Sequence, residues 1–145
     1  MKIKLLIVLC CAFVFTNCSL SNDSETPQNY KKSWHLINVS GGFAGVNENF
    51  ELETIIWSFD EPTAKLTVVN NNSDDTIQDG LASGAYDYSI DIAEDGKSYI
   101  TIDANELGLL TVNQTGMFID ENMMSTGTGA DGFIYSFQVE LVLIE

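Results

Sequence analysis

The C-terminal stretch constrains the fold more than any other part of the chain. From Phe133 to Leu143 one alternate set of residues is wholly apolar: Phe133, Tyr135, Phe137, Val139, Leu141 and Leu143. Side chains alternate across a strand, so a period of two held this long means a strand with one buried face. Such a strand is not stable alone. Its edges need hydrogen-bonded neighbours and its apolar face needs cover.

The rest of the sequence supplies those neighbours. Eight runs rich in β-branched and aromatic residues are separated by Gly, Asn, Asp and Ser clusters, the pattern of an antiparallel all-β domain. They are Ser33 to Val39, Phe50 to Asp60, Ala64 to Asn70, Gly84 to Ile92, Lys97 to Asp103, Leu107 to Asn113, Gly116 to Asp120, and Gly132 to Ile144. In the fourth, Tyr86, Tyr88, Ile90 and Ile92 share a face. Glu94-Asp95-Gly96-Lys97, Asn113-Gln114-Thr115-Gly116 and Asp60-Glu61-Pro62-Thr63 read as tight turns. Ser40 to Asn49 and Asn71 to Ser83 read as longer loops, the first with room for a turn of helix. Eight sequential strands on short hairpins predict a closed up-and-down barrel. An interior of that size is either filled by side chains or holds one small ligand.

The N-terminal segment is of a different kind. Lys2 and Lys4 precede an apolar run from Leu5 to Phe15, and polar sequence begins after Cys18. The run is too short for a stable membrane-spanning helix and has the form of an export signal, Met1 to Asn17. An apolar segment closing on a cysteine resembles a lipobox, in which Cys18 is lipidated and becomes the first mature residue. Phe15 and Asn17 stand where the strict box prefers Leu and Gly or Ala. The looser form, with an acidic stretch such as Ser21-Asn22-Asp23-Ser24-Glu25 after the cysteine, resembles lipoproteins of Bacteroidota-type bacteria. That resemblance implies a lipoprotein of the cell envelope, anchored in the outer membrane and exposed at its surface. Cys18 to Lys32 then reads as a flexible tether, and the domain runs from Ser33 to Glu145.

Processing would remove Cys10 and Cys11, leaving no pair to form a disulfide. It would also leave four lysines, no arginine and 21 acidic residues, a formal charge of −17. Nucleic acid is excluded as a partner, because phosphate binding needs basic patches. The expected partners are the membrane, through the N-terminal lipid, and a small hydrophobic ligand if the barrel leaves room.

The order of Trp34-His35-Leu36, Ile55-Ile56-Trp57-Ser58-Phe59, Gly84-Ala85-Tyr86-Asp87-Tyr88 and Phe133-Ile134-Tyr135-Ser136-Phe137 is similar to lipocalin-like lipoprotein domains of the same bacteria. The resemblance implies a barrel and carries no catalytic residues or cofactor with it. Its classical Gly-x-Trp element is not met, since Ser33 directly precedes Trp34, and the arginine that often covers that Trp is absent.

Residue chemistry points the same way. His35 is the single histidine; a triad also needs a nucleophile and an orienting acid beside it, and its strand position predicts a solvent-facing ring. The chain is read as non-enzymatic, with no metal site. Asn70 to Asp75 and Asp91 to Asp95 offer oxygen ligands but lack the spacing of a calcium loop. Gly127 to Gly132 leads into a strand and not a helix, so it reads as a loop rather than a phosphate site. Trp34, Trp57, Phe59, Tyr86, Tyr88, Phe133, Tyr135 and Phe137 either line a ligand cup or fill the core.

Overall fold

The computed structural model describes residues 29–144. The expected signal segment, Cys18 and the expected tether up to residue 28 lie outside them. The strands are β1 (Asn29–Gly41), β2 (Val46–Asn49), β3 (Ile55–Asp60), β4 (Lys65–Asn70), β5 (Gly84–Ile92), β6 (Ser98–Ile102), β7 (Asn105–Val112), β8 (Gly116–Asp120), β9 (Met123–Met124), β10 (Gly127–Thr128) and β11 (Phe133–Ile144). β1, β3 to β8 and β11 pair in chain order, and β11 pairs back onto β1. The result is a closed, eight-stranded, antiparallel up-and-down barrel, consistent with a lipocalin-like fold. No α-helix occurs among the described residues.

The expected runs map onto the eight barrel strands, with Gly84–Ile92 and Gly116–Asp120 recovered at both ends. Most of the other boundaries shift by one or two residues, and three differences are larger. β1 starts at Asn29 rather than Ser33, because Asn29 to Lys32 pair with Ile144 to Leu141. Backbone pairing there needs no apolar alternation, so the sequence looked like tether. Phe50 to Thr54 is a turn, with Glu53 at φ 69°, and β3 begins only at Ile55. The Ser40 to Asn49 loop holds no helical turn. It contains β2, which pairs with Asn38 to Gly41, while Gly42 and Gly45 make the reversal at φ 67°.

A bulge in β1 explains why its core residues break alternation. Leu36 pairs with Phe137, and the next ladder pair is Asn38 with Ser136. The extra residue, Ile37, resets the phase, so Trp34, Leu36 and Val39 are all buried. They join Ile55, Trp57, Leu66, Val68, Ile100, Ile119, Tyr135 and Phe137 in one core. Trp57 lies at its centre, 4.9 Å from the Phe137 ring.

The strands alternate in direction, so the barrel has two distinct ends. At the entry end β1 begins, β11 finishes, and the β3–β4, β5–β6 and β7–β8 turns lie. The far end carries the longer loops. There Asn70 and Asn72 both donate side-chain N–H to Asp79 Oδ2, at 3.0 and 2.9 Å. Leu81 packs on the core, and Gly80 sits against the Tyr135 ring. The loop after β8 is held by Glu121, whose carboxylate accepts the Phe133 amide at 2.9 Å and the Tyr135 hydroxyl at 3.0 Å.

Burial and then the Glu121 carboxylate push the Tyr135 hydroxyl well above its ordinary value of 10. The native state therefore holds the neutral phenol where the unfolded chain would ionise. That contribution is complete below pH 10 and fades as pH rises above it. Relative to Tyr135→Phe, wild-type stability is expected to be constant up to about pH 10. It should then fall by up to about 1.4 kcal/mol per pH unit. Denaturant midpoints for both proteins from pH 7 to 11.5 measure this.

A candidate ligand cup at the entry end

The core does not extend through the whole barrel. At the entry end a cavity of about 630 Å³ opens to solvent. That volume lies within the usual range for small-molecule sites. Trp34, Leu110 and Met117 are buried and form its floor, and Phe59 and Tyr88 line its walls. The aromatic wall is ordered: the Phe59 and Tyr88 rings meet edge to face at 4.9 Å, a favoured arrangement.

The lip is made of Tyr30, Ile90, Val112 and Ile144, all substantially exposed. Lys31, Lys32, Asp60, Glu61 and Pro62 complete the lining. Asp60 is braced by the Thr63 hydroxyl, which donates to Oδ2 at 2.5 Å. Partial burial, then Glu61 and Asp60, raise the Tyr88 hydroxyl from its ordinary value. Tyr88 therefore enters the cup as a neutral hydroxyl at physiological pH. The chemistry offered is an apolar cleft with a few polar groups at its edge, the form expected of a site for a greasy molecule with a polar end.

Of the aromatics singled out in the sequence, Trp34, Phe59 and Tyr88 line the cup. Trp57, Tyr135 and Phe137 are buried in the packed core. Tyr86 and Phe133 pack against that core from its margin, with the Tyr86 hydroxyl donating to the Ala82 carbonyl at 2.8 Å. Leu110, Val112, Met117, Tyr30 and Ile144 escaped the sequence reading. Nothing in an alternating pattern distinguishes an inward side chain at mid-barrel from one at the lip.

His35 departs from expectation. Its position between Trp34 and Leu36 aims it at the outer wall, as alternation requires, yet only 3% of the residue is exposed. Glu53, from the turn before β3, and Glu140, from β11, cover it. Nδ1 accepts the Glu53 backbone N–H at 3.3 Å. Nε2 lies 3.1 Å from Glu140 Oε2, but off the hydrogen-bond line, so that nitrogen is left without a bonded partner. Donor atoms of the three residues fall within 4.8 Å of one another, close enough to consider a metal ion. With Nδ1 used as an acceptor, the neutral ring carries its proton on Nε2. Binding through Nε2 would require a change of tautomer, and binding through either nitrogen would cost the Glu53 amide bond.

The acidic segments also have local roles. Asp74 Oδ1 accepts from the Thr76 amide at 2.9 Å, and its carboxyl is held below the ordinary value by the Thr76 hydroxyl and amide. Asp95 pairs with Lys97 at 2.7 Å across the β5–β6 turn. No protein-family model, curated protein or solved structure matches the chain.

Proposed function

We propose that the chain is a lipid-anchored envelope lipoprotein whose barrel takes a small, elongated hydrophobic ligand end-on at its entry end. The open cup floored by Trp34, Leu110 and Met117 carries this reading. Apolar side chains left facing water at a concave site lose little when an apolar ligand displaces that water. The half-open cup suits one hydrocarbon chain with a polar group left at the lip, near Lys31 and Lys32. Among the described residues no catalytic constellation supports an enzyme, and no cofactor is needed for this role. The acyl anchor at Cys18 would keep the protein at the membrane surface.

The test is titration of the mature domain with a fluorescent long-chain fatty acid, read by reporter emission and by quenching of tryptophan fluorescence at Trp34. Saturable binding at one site is expected. Val112→Trp projects a bulky ring from the lip and should weaken binding at least tenfold with unchanged thermal stability. A wild-type protein that does not bind would favour a second reading, an interaction module with a filled barrel. The solid packing around Trp57 and Phe137 is what favours that alternative.

A further inference from the structure

We infer that the entry end of the barrel docks on the bilayer that holds the lipid anchor, so that the cup opens onto the membrane surface and not away from it. The inference rests on the anchored reading above, and three independent observations support it.

The first is where apolar surface lies. Among the described residues eight of the twelve exposed large hydrophobics lie at the entry end, Ile92 at 75% and Leu141 at 60% foremost, while Phe43, Leu52 and Val69 stand at the far end. With Tyr30, Ile90, Val112 and the Val142 to Ile144 segment, Ile92 and Leu141 form a collar around the entry end. The collar continues onto the outer wall, where Val142, Leu143 and Ile144 border a shallow groove beside Lys31 and Lys32. Beyond the collar the outward residues of β5 and β6 are polar, Ser89 and Thr101 among them. Contiguous apolar surface with a polar surround marks an interaction site.

The second is charge. All four lysines of the mature chain, Lys31, Lys32, Lys65 and Lys97, lie at the entry end or in its turns. Six carboxylates accompany them there: Asp60, Glu61, Asp87, whose Oδ1 lies 2.6 Å from Lys65 Nζ, Asp91, Glu94 and Asp95. The loops and strand ends of the far end hold eleven carboxylates and no lysine. A strongly acidic protein is therefore far less negative at one end than at the other. That end is the one able to approach a surface bearing anionic headgroups, which repels the other.

The third is covalent reach. β1 enters the barrel at this end with Asn29. The chain from Cys18 to Asn29 spans at most about 40 Å even when fully extended. The anchor therefore attaches at the collar and holds it near the bilayer. A second copy of the chain would cover the collar equally well, but it would explain neither the charge polarity nor the attachment point.

The experiment uses lipidated protein purified from envelopes and reconstituted into vesicles of phosphatidylethanolamine and phosphatidylglycerol. A bimane fluorophore is attached at Ile92→Cys or, at the far end, at Phe43→Cys, with nitroxide-labelled lipid as quencher. Quenching at position 92 should exceed that at position 43 by at least threefold. Adding Leu141→Glu to the position-92 protein should abolish the difference. Equal quenching at both positions, or stronger quenching at 43, overturns the inference. A difference that survives Leu141→Glu shows that the tether alone sets the orientation and also overturns it. Neither Ile92 nor Leu141 lines the cup, so fatty-acid binding in solution stays a separate readout. Binding without asymmetric quenching defeats docking alone, and asymmetric quenching without binding defeats the ligand reading alone. Mass spectrometry for a diacylglyceryl adduct on Cys18 tests the anchor.

Discussion

Gly108→Ala is expected to destabilise the barrel by about 3 kcal/mol or more. Gly108 has φ +140°, a region essentially closed to residues with a Cβ. A Cβ there would lie 2.2 Å from the Asp120 carbonyl oxygen and 2.9 Å from Glu121 Cα. Both are backbone atoms, so no side-chain rotation relieves the contact. The position follows from the β6–β7 ladder, in which Ile100 pairs with Gly108 but Thr101 pairs with Glu106. Leu107 is the extra residue of a bulge, and the glycine beside it lets β7 return to register against β8. Strain of this type costs about 1 to 3 kcal/mol, and overpacking adds a similar amount. Urea denaturation gives the value directly. Gly96→Ala is the control: Gly96 is also at positive φ (81°), but a Cβ there meets nothing within 4 Å, so only the conformational cost of about 1 kcal/mol is expected. Equal losses for the two variants would refute the role given to close backbone approach.

The second large effect is at Trp57. Trp57→Ala should cost about 3 to 5 kcal/mol and lower the melting temperature by roughly 15 °C. The ring is fully buried and packs on Phe137 and Phe59, with centroids at 4.9 and 6.4 Å. No disulfide shares the load, since none of the described residues is a cysteine. Trp57→Phe should cost far less, under about 1.5 kcal/mol. The indole Nε1 is buried without a hydrogen-bond partner, and an unsatisfied buried donor costs about 1 to 3 kcal/mol. Removing that N–H offsets part of the lost packing. A phenylalanine variant as unstable as the alanine variant would show that indole volume, and not the aromatic pairing, is what the core requires.

Much of the barrel was legible from the sequence, because a two-residue period reports directly on which face is buried. The run from Gly84 to Ile92 became β5 at both boundaries, and its aromatics point inward. What the period does not report is height along the barrel axis. Tyr88 and Tyr135 carry the same pattern, yet one lines an open cup and the other is sealed beneath a loop, because strand stagger sets their level. His35 was misread for a related reason. Its own strand places it outward, and its cover comes from Glu53 and Glu140, distant in sequence. The lysine clustering is invisible in a linear reading, since Lys31, Lys65 and Lys97 meet at one end only when strand directions alternate.

The seam between β1 and β11 has a kinetic consequence. The first and last strands of the described chain pair along nearly their whole length, from Asn29 with Ile144 to Gly41 with Phe133. A chain delivered end-first, in either direction, cannot close this barrel until its final strand arrives. Until then both strands present open edges able to pair with other chains, and the closing contact spans the greatest sequence separation among the described strands, so it is expected to be the slow step. Closure of the barrel is completed by β11. Truncation of β11 by even a few positions at the Ile144 end would unzip the seam from the end that carries the cup.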